Sequence, residues 1–364
     1  MQHWKKTIIT FITSQIVSLI GTLFVSYAIT WYVTLETQSG LMMMISILCG
    51  FVPGMFLAPF AGVWADRFSR RKLIIFADAM IAIVTLITVI IFILGYREIW
   101  LLFVISIFRS SGQAIQQPAV GAVLPQIVPE EKLMRVQGIH TGINSAMMIV
   151  APIVAATLIS IWSIEYIFLI DVVTAAIAIF ILITFIRFPR HVNEQSGGKV
   201  DYLGDMKQGI HYINHHPFLV VFFVLVAVIN ILFSPLSFLT PLQVVRLFGD
   251  NVFFLSAIEI AFSIGMLLGG VILAWWGGFK NRTVSIIVAT IIVGASAILL
   301  GIIPIFWPYL VVMGVIGLVV PLLNTPSMVI IQRKVDPQYM GRVMSVLTIV
   351  TSAMNPLGML IFGP

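Results

Sequence analysis

Residues 99–119 read IWLLFVISIFRSSGQAIQQPA, an apolar run with one arginine, Arg109, near its centre. About 20 helical residues rising 1.5 Å each cross a hydrocarbon core of roughly 30 Å. Lipid tolerates only helices or closed barrels, and this run does not alternate apolar and polar positions as a barrel strand does. Arg109 lies about ten residues, or roughly 15 Å, from either end of the helix so predicted. A charge at that depth is costly unless it meets a partner or a water-filled cavity. This helix therefore has to pack against others.

The remainder of the chain reads the same way. It has 364 residues, 60% hydrophobic and 9% charged, with a mean hydropathy of +1.10. Soluble domains carry about 25% charged residues, so the length cannot be divided into soluble domains. Spans are expected at residues 7–34, 42–64, 73–95, 99–119, 137–160 and 164–187. After a polar stretch they resume at 219–245, 252–276, 283–303, 307–330 and 343–362. The expected fold is all-α and polytopic. An amino-terminal six-helix bundle (1–187) is followed by a linker (188–217) and a carboxy-terminal bundle of five spans (218–364). Lys5 and Lys6 precede an apolar stretch longer than a cleavable signal's, so the first span is read as retained. Cys49 is the only cysteine and excludes an intrachain disulfide.

Basic residues set the orientation. Of the 20 lysines and arginines, only Arg97 and Arg246 fall on one side and Arg109 within a span. The others share the side of the amino terminus and the linker, which is therefore cytoplasmic in a plasma or inner membrane. The net charge of +6 is thus a topology signal, and no nucleic-acid partner is expected. In the linker, Val200, Leu203, Ile210 and Ile213 fall near helical spacing with Asp201, Asp205 and Lys207 elsewhere. That pattern predicts an amphipathic helix on the cytoplasmic face. His211, His215 and His216 end it without a carboxylate or cysteine to complete a metal site.

The halves repeat. Gly62 and Val63 recur 208 positions on as Gly270 and Val271; Val128, Arg135, Val136, Ser145 and Ala146 recur 207 positions on as Val335, Arg342, Val343, Ser352 and Ala353. Parallel six-helix halves are a transporter plan with the substrate site between them. An even duplication predicts a twelfth helix beyond Pro364.

The sequence GVWADRFSRRK over residues 62–72 resembles the loop signature of the major facilitator superfamily, with Ser69 where a glycine is usual. The resemblance implies a cytoplasmic latch between the halves made by Gly62, Asp66, Arg67, Arg70 and Arg71, with Asp78 beside it. The context of Arg109 resembles the family's fourth-span signature and implies a part in proton coupling. Gly138, Ala151, Pro152 and Ala155 resemble the antiporter signature of its exporters, although Met147 departs from it. Small residues there permit close helix contact and proline bends the helix. Longer stretches, including residues 259–270 and 332–343, resemble the macrolide-efflux branch and imply a proton-driven exporter of hydrophobic drugs.

Embedded acids are the natural proton carriers, because desolvation favours their neutral form. Glu259 and Asp171 are the candidates, with pairing to Arg109 the alternative for either. Gln15, Tyr27, Trp31, Asn230 and Asn324 are candidate cavity residues. The reading is a monomeric, proton-gradient-driven exporter of hydrophobic or amphiphilic small molecules in the lipid bilayer, needing no cofactor and no metal. An exporter or importer of another amphiphile or metabolite, such as a siderophore, shares most of these features. A membrane-bound enzyme would need clustered nucleophiles or metal ligands near the interface, and an ATP-driven pump a phosphate loop; neither pattern is found.

Overall fold

The computed structural model describes residues 3–186, 202–336 and 339–364. At residues 3–4, 59, 62–63, 65–67, 125, 130–131, 134–135 and 202–206 the backbone alone is described. The chain divides into two compact units, residues 1–195 and 196–364. The first holds α1 (His3–Thr37), α2 (Gly40–Arg67), α3 (Arg70–Ile93), α4 (Ile99–Ile127), α5 (Glu130–Ile161) and α6 (Ile164–Phe185). The second holds α7 (Tyr202–Asn214), α8 (Pro217–Phe238), α9 (Thr240–Phe248), α10 (Val252–Trp276), α11 (Arg282–Ile302), α12 (Phe306–Lys334) and α13 (Met340–Phe362). Among the described residues, eleven segments are long and apolar enough to cross a membrane, so the chain is a multi-pass membrane protein.

Helix ends follow local chemistry. The Asn251 and Asn281 side chains accept from the amides of Phe253 and Thr283, at 2.9 and 3.0 Å, and so start α10 and α11. An asparagine oxygen there satisfies one of the first-turn N–H groups that has no intrahelical partner. Gly277, at φ 77°, ends α10 in the left-handed conformation that glycine adopts without strain. The seventh span departs from expectation. A single helix over 219–245 is predicted, but the structure breaks it at Leu239 into α8 and α9. Pro241 sits in the first turn of α9, where its missing N–H costs nothing.

Of the expected linker, residues 188–201 lie outside the described residues. Its amphipathic helix forms as α7, within the second unit. The Tyr212 hydroxyl donates to Asp336 at 3.2 Å, and its ring stacks on Tyr339 with centroids 4.5 Å apart. The rings of His211 and His215 meet at a tilt with centroids 4.2 Å apart, and His215 Nδ1 lies 2.8 Å from the His211 carbonyl.

Within the first unit two apolar layers enclose a polar one. One layer joins Phe24, Val25, Val33, Phe92, Leu102, Ile105, Ile167 and Phe168. The other joins Phe11, Ile74, Val123, Leu124 and Leu182. Between them along the helices fall Ser14, Ser18, Asp78, Thr85, Arg109 and Asp171, all buried.

Close approach organises the second unit. A Cβ added at Gly265, Gly269 or Gly317 would lie 2.1, 2.0 or 2.1 Å from the backbone carbonyl of Gly314, Leu318 or Phe262. Glycines spaced four apart let α10 and α12 touch backbone to backbone, which suits lipid because association there rests on packing. The helix pair α2 and α4 in the first unit is about as extensively packed as α10 and α12. The repeated residues Val128 and Val335 end α4 and α12 alike, their amides donating to Leu124 and Ile331 at 3.1 and 3.0 Å.

Gly269→Ala is expected to lower the thermal midpoint of the detergent-purified protein, through an overpacking cost of about 1–3 kcal/mol. Gly270→Ala, whose new methyl meets nothing within 4 Å, should leave it unchanged. Equal midpoints for the two variants would refute the role given to the α10–α12 contact.

Candidate functional site

The polar layer of the first unit is built from four helices. On α4, Arg109 is 3% exposed, and on α6, Asp171 is 2% exposed. The two form an ion pair through Arg109 Nη1 and Asp171 Oδ2. Thr85 of α3 accepts from Arg109 at 3.2 Å and donates to the same carboxylate oxygen at 3.3 Å. Arg109 Nη2 donates to the Thr22 carbonyl of α1 at 3.1 Å. Gly21 makes this possible, since a Cβ there would stand 2.8 Å from Asp171 Cα and 2.2 Å from Thr174 Oγ1. Next to Arg109, Ser110 Oγ accepts from the Gly54 amide of α2 at 2.9 Å. A buried charge is tolerated when paired and hydrogen-bonded, and Arg109 is held in this way.

Beside this network lies a cleft of about 500 Å³ between α1, α4 and α5. Its polar wall includes Gln15, Ser18, Gln113, Gln116, Gln137 and Asn144; Leu19, Leu23, Ile143 and Met148 supply apolar surface. Among the described residues, His140 is the titratable side chain that lines it. The amides offer donors and acceptors without net charge. Such a wall suits a ligand with an apolar body and several hydroxyl, ether or carbonyl groups.

Of the residues singled out in sequence, Gln15 lines this cleft. Trp31 does not: it is 1% exposed and its ring lies 5.2 Å from that of Tyr27, which packs against the same apolar layer. Asn230 donates back to its own helix at Val226, 2.8 Å away. Asn324 is exposed on α12. Glu259 is half-buried on α10, with no hydrogen bond or ion pair among the described residues.

The expected latch residues lie at the end of α2 and in the first half of α3. Gly62, Asp66 and Arg67 occupy the last turns of α2, and their side chains lie outside the described set. Arg70 opens α3, and Arg71 donates to the Ile183 carbonyl in the last turn of α6, 2.7 Å away. Asp78 stands about two turns further into α3 than Arg71, and its partners are Ser18 and Gln116. Both of those partners line the cleft. Ala151, Pro152 and Ala155 are buried on α5, whereas a methyl at Gly138 would meet nothing within 4 Å.

Sequence reasoning missed the amide face of the cleft. Gln113, Gln116 and Gln117 recur at three- and four-residue spacing on α4, and Gln137, His140 and Asn144 do so on α5. That periodicity places each set on one helix face and was the available signal.

A bundle of this construction is that of a membrane transporter. The Major Facilitator Superfamily profile matches residues 8–359, and the chain belongs to that family. It is 31% identical over 364 residues to Macrolide efflux protein A of Streptococcus pyogenes, covering 99% of this chain and 89% of that one. With Macrolide efflux protein A of Enterococcus faecalis it shares 31% identity over 317 residues, covering 86% of this chain and 97% of that one. Among solved structures it is similar to an inward-facing bacterial homologue of the human lysosomal transporter Spinster, with a TM-score of 0.69 at 15% identity. That match covers 100% of this chain and 82% of the other. The nucleoside transporter NupG gives a TM-score of 0.67 at 14% identity, covering 96% of this chain and 90% of that one.

Asp171→Leu or Arg109→Met alone is expected to destabilise the protein by about 3–5 kcal/mol, because each strands a buried charge. The double variant should recover most of that loss while failing to transport. Unfolding in a denaturing detergent, read by circular dichroism, measures the cycle; additive losses would contradict a mutually dependent pair.

Proposed function

We propose that the chain exports hydrophobic or amphiphilic molecules of the macrolide kind in exchange for protons. The similarity to Macrolide efflux protein A over nearly the whole chain supports this substrate class. The observation that carries it is the amide-lined cleft between α1, α4 and α5, whose chemistry matches a large, largely apolar molecule bearing many oxygen functions. In this reading the amino terminus faces the cytoplasm, and the two units alternate between states open to each side. A ligand biases such an equilibrium only through different affinities for the two states, so both proton and drug must sense the exchange.

Glu259 is assigned as a proton carrier, since a carboxyl in a span without a cation can be neutral in one state and ionised in the other. Asp171 and Arg109 serve the exchange as a fixed pair that holds α4 and α6 together beside the cleft. The Asp66–Arg71 region acts as the cytoplasmic latch. The chain works as a monomer with the proton gradient as its only energy source.

Cells expressing the chain are expected to accumulate several-fold less radiolabelled erythromycin than controls, with a protonophore abolishing the difference. Gln113→Leu together with Asn144→Leu should remove most of the effect at unchanged membrane abundance. Glu259→Gln should do so while leaving erythromycin binding measurable. Accumulation unaffected by expression or by the protonophore would reject the proposal.

A further inference from the structure

α7 carries a basic face that neither the cleft nor the charge pair uses. Lys207, His211 and His215 follow one another at four-residue spacing, which stacks them on one side of a helix. His215 lies just past Asn214, the last residue of α7. Its amide still donates to the His211 carbonyl at 3.2 Å, so the helical path continues to it. These three side chains, with Gln208, Tyr212 and Tyr339, line a pocket of about 350 Å³ within the second unit. Its walls are fixed. A Cβ at Gly209 would lie 2.9 Å from the Arg342 carbonyl oxygen, so α7 rests on the backbone of α13. The Tyr212 hydroxyl donates to the Asp336 carboxylate and accepts from the Asp336 amide, each at 3.2 Å.

Charge around the pocket is predominantly positive. Lys207 is exposed and makes no ion pair among the described residues. From α13, the Arg342 guanidinium lies 5.7 Å from the centroid of the Tyr339 ring. The last turn of α12 brings Arg333 and Lys334. His216, which caps α8, has its Nδ1 2.8 Å from the Tyr212 carbonyl. Asp336, between α12 and α13, is engaged by Tyr212. Asp205 precedes Lys207 by two residues, about 200° round the helix, with its side chain outside the described set; Lys199 and Asp201 lie outside the described residues. Among the described residues no carboxylate lines the pocket.

His215 adds a condition. A carbonyl only accepts, so the 2.8 Å contact of His215 Nδ1 with the His211 carbonyl requires the proton on Nδ1. Neutral His215 then presents a lone pair at Nε2, which repels an anionic oxygen. Protonated His215 presents an N–H there and a positive charge. The surroundings also select the anion. Pro217 opens the seventh span, so the pocket stands where the chain enters the membrane. Ile210 on α7 and Phe218 in the first turn of α8 are exposed apolar side chains near it. Lys334 Nζ lies 5.4 Å from the centroid of the Phe218 ring. A phospholipid brings an anionic phosphate and apolar chains to that level together.

We propose that this pocket seats the headgroup phosphate of an anionic phospholipid, held by Lys207, His211 and protonated His215, with its chains against Ile210 and Phe218. The site requires only that the chain span a membrane and is independent of what the chain transports. Proton and lipid support one another, each strengthening the other's binding by the same factor.

The probe is short-chain phosphatidylglycerol, compared with phosphatidylcholine of the same chain length, added to the detergent-purified full chain and counted by native mass spectrometry. At roughly pH 6 phosphatidylglycerol is expected to bind about tenfold more tightly, and the preference should fall several-fold by roughly pH 8. Lys207→Glu should weaken phosphatidylglycerol binding by about fivefold or more. Lys280→Glu, the same charge change at another exposed lysine, should leave it intact. His215→Ala should flatten the pH profile while keeping part of the preference. Inorganic phosphate at the same concentration should not displace the lipid, because it brings no apolar chains. All three substitutions fall on exposed side chains, and Gly209 and Tyr212 still hold α7 in place. Equal binding of the two lipids, equal losses from Lys207→Glu and Lys280→Glu, a parent pH profile in His215→Ala, or displacement by inorganic phosphate would each overturn the proposal.

Discussion

A guanidinium and a carboxylate facing one another in the middle of a lipid-spanning bundle constrain everything packed around them. Neither Arg109 nor Asp171 can turn outward without a large desolvation penalty, so α4 and α6 must keep fixed faces toward each other. Thr85 from α3 and the Thr22 carbonyl from α1 complete their hydrogen bonds, which fixes two further helices about the same point. The close approach that this demands is permitted by Gly21, where any side chain would collide with α6. Apolar layers on either side then seal the network from both ends of the bundle.

That arrangement separates anchoring from work. The charge pair is buried and hydrogen-bonded, suited to holding geometry. The neighbouring cleft is neutral, amide-rich and open enough to admit a ligand. Asp78 lies where the two meet, hydrogen-bonded to the cleft wall but lacking the cation that Asp171 has. Glu259, alone on α10 in the second unit, holds a carboxyl without such a shell. The family's transport activity needs groups whose stability differs between two states. Acids without an ion pair meet that need better than a paired one.

Much of the fold is legible in the sequence because lipid imposes strong rules. Span length, the clustering of lysine and arginine, and the glycines of α10 all have one physical reading. The break at Leu239 escapes such a reading, because the apolar run continues through it and only Pro235 and Pro241 mark the change. The site is less legible. Arg109 announces itself as a charge in lipid, and Asp171 as a possible partner, from cost alone. Trp31 is easily misplaced because an aromatic on a span gives no sign of which helix face it occupies. Nearness in sequence assigns Asp78 to the basic cluster, yet two helical turns carry it to the other side of the local chemistry. The glutamines of α4 and α5 attract no notice because amides carry no charge to be explained, although their spacing puts them on one face.

Coupling between a proton and an amphiphile through the same bundle is the central claim. The most direct measurement is erythromycin uptake by inside-out proteoliposomes containing only this chain, with an imposed pH gradient and no other energy source. Uptake against its concentration gradient is expected when the lumen is acidic, ending as soon as the gradient is dissipated by an ionophore. Equal uptake with and without the pH gradient would contradict the coupling.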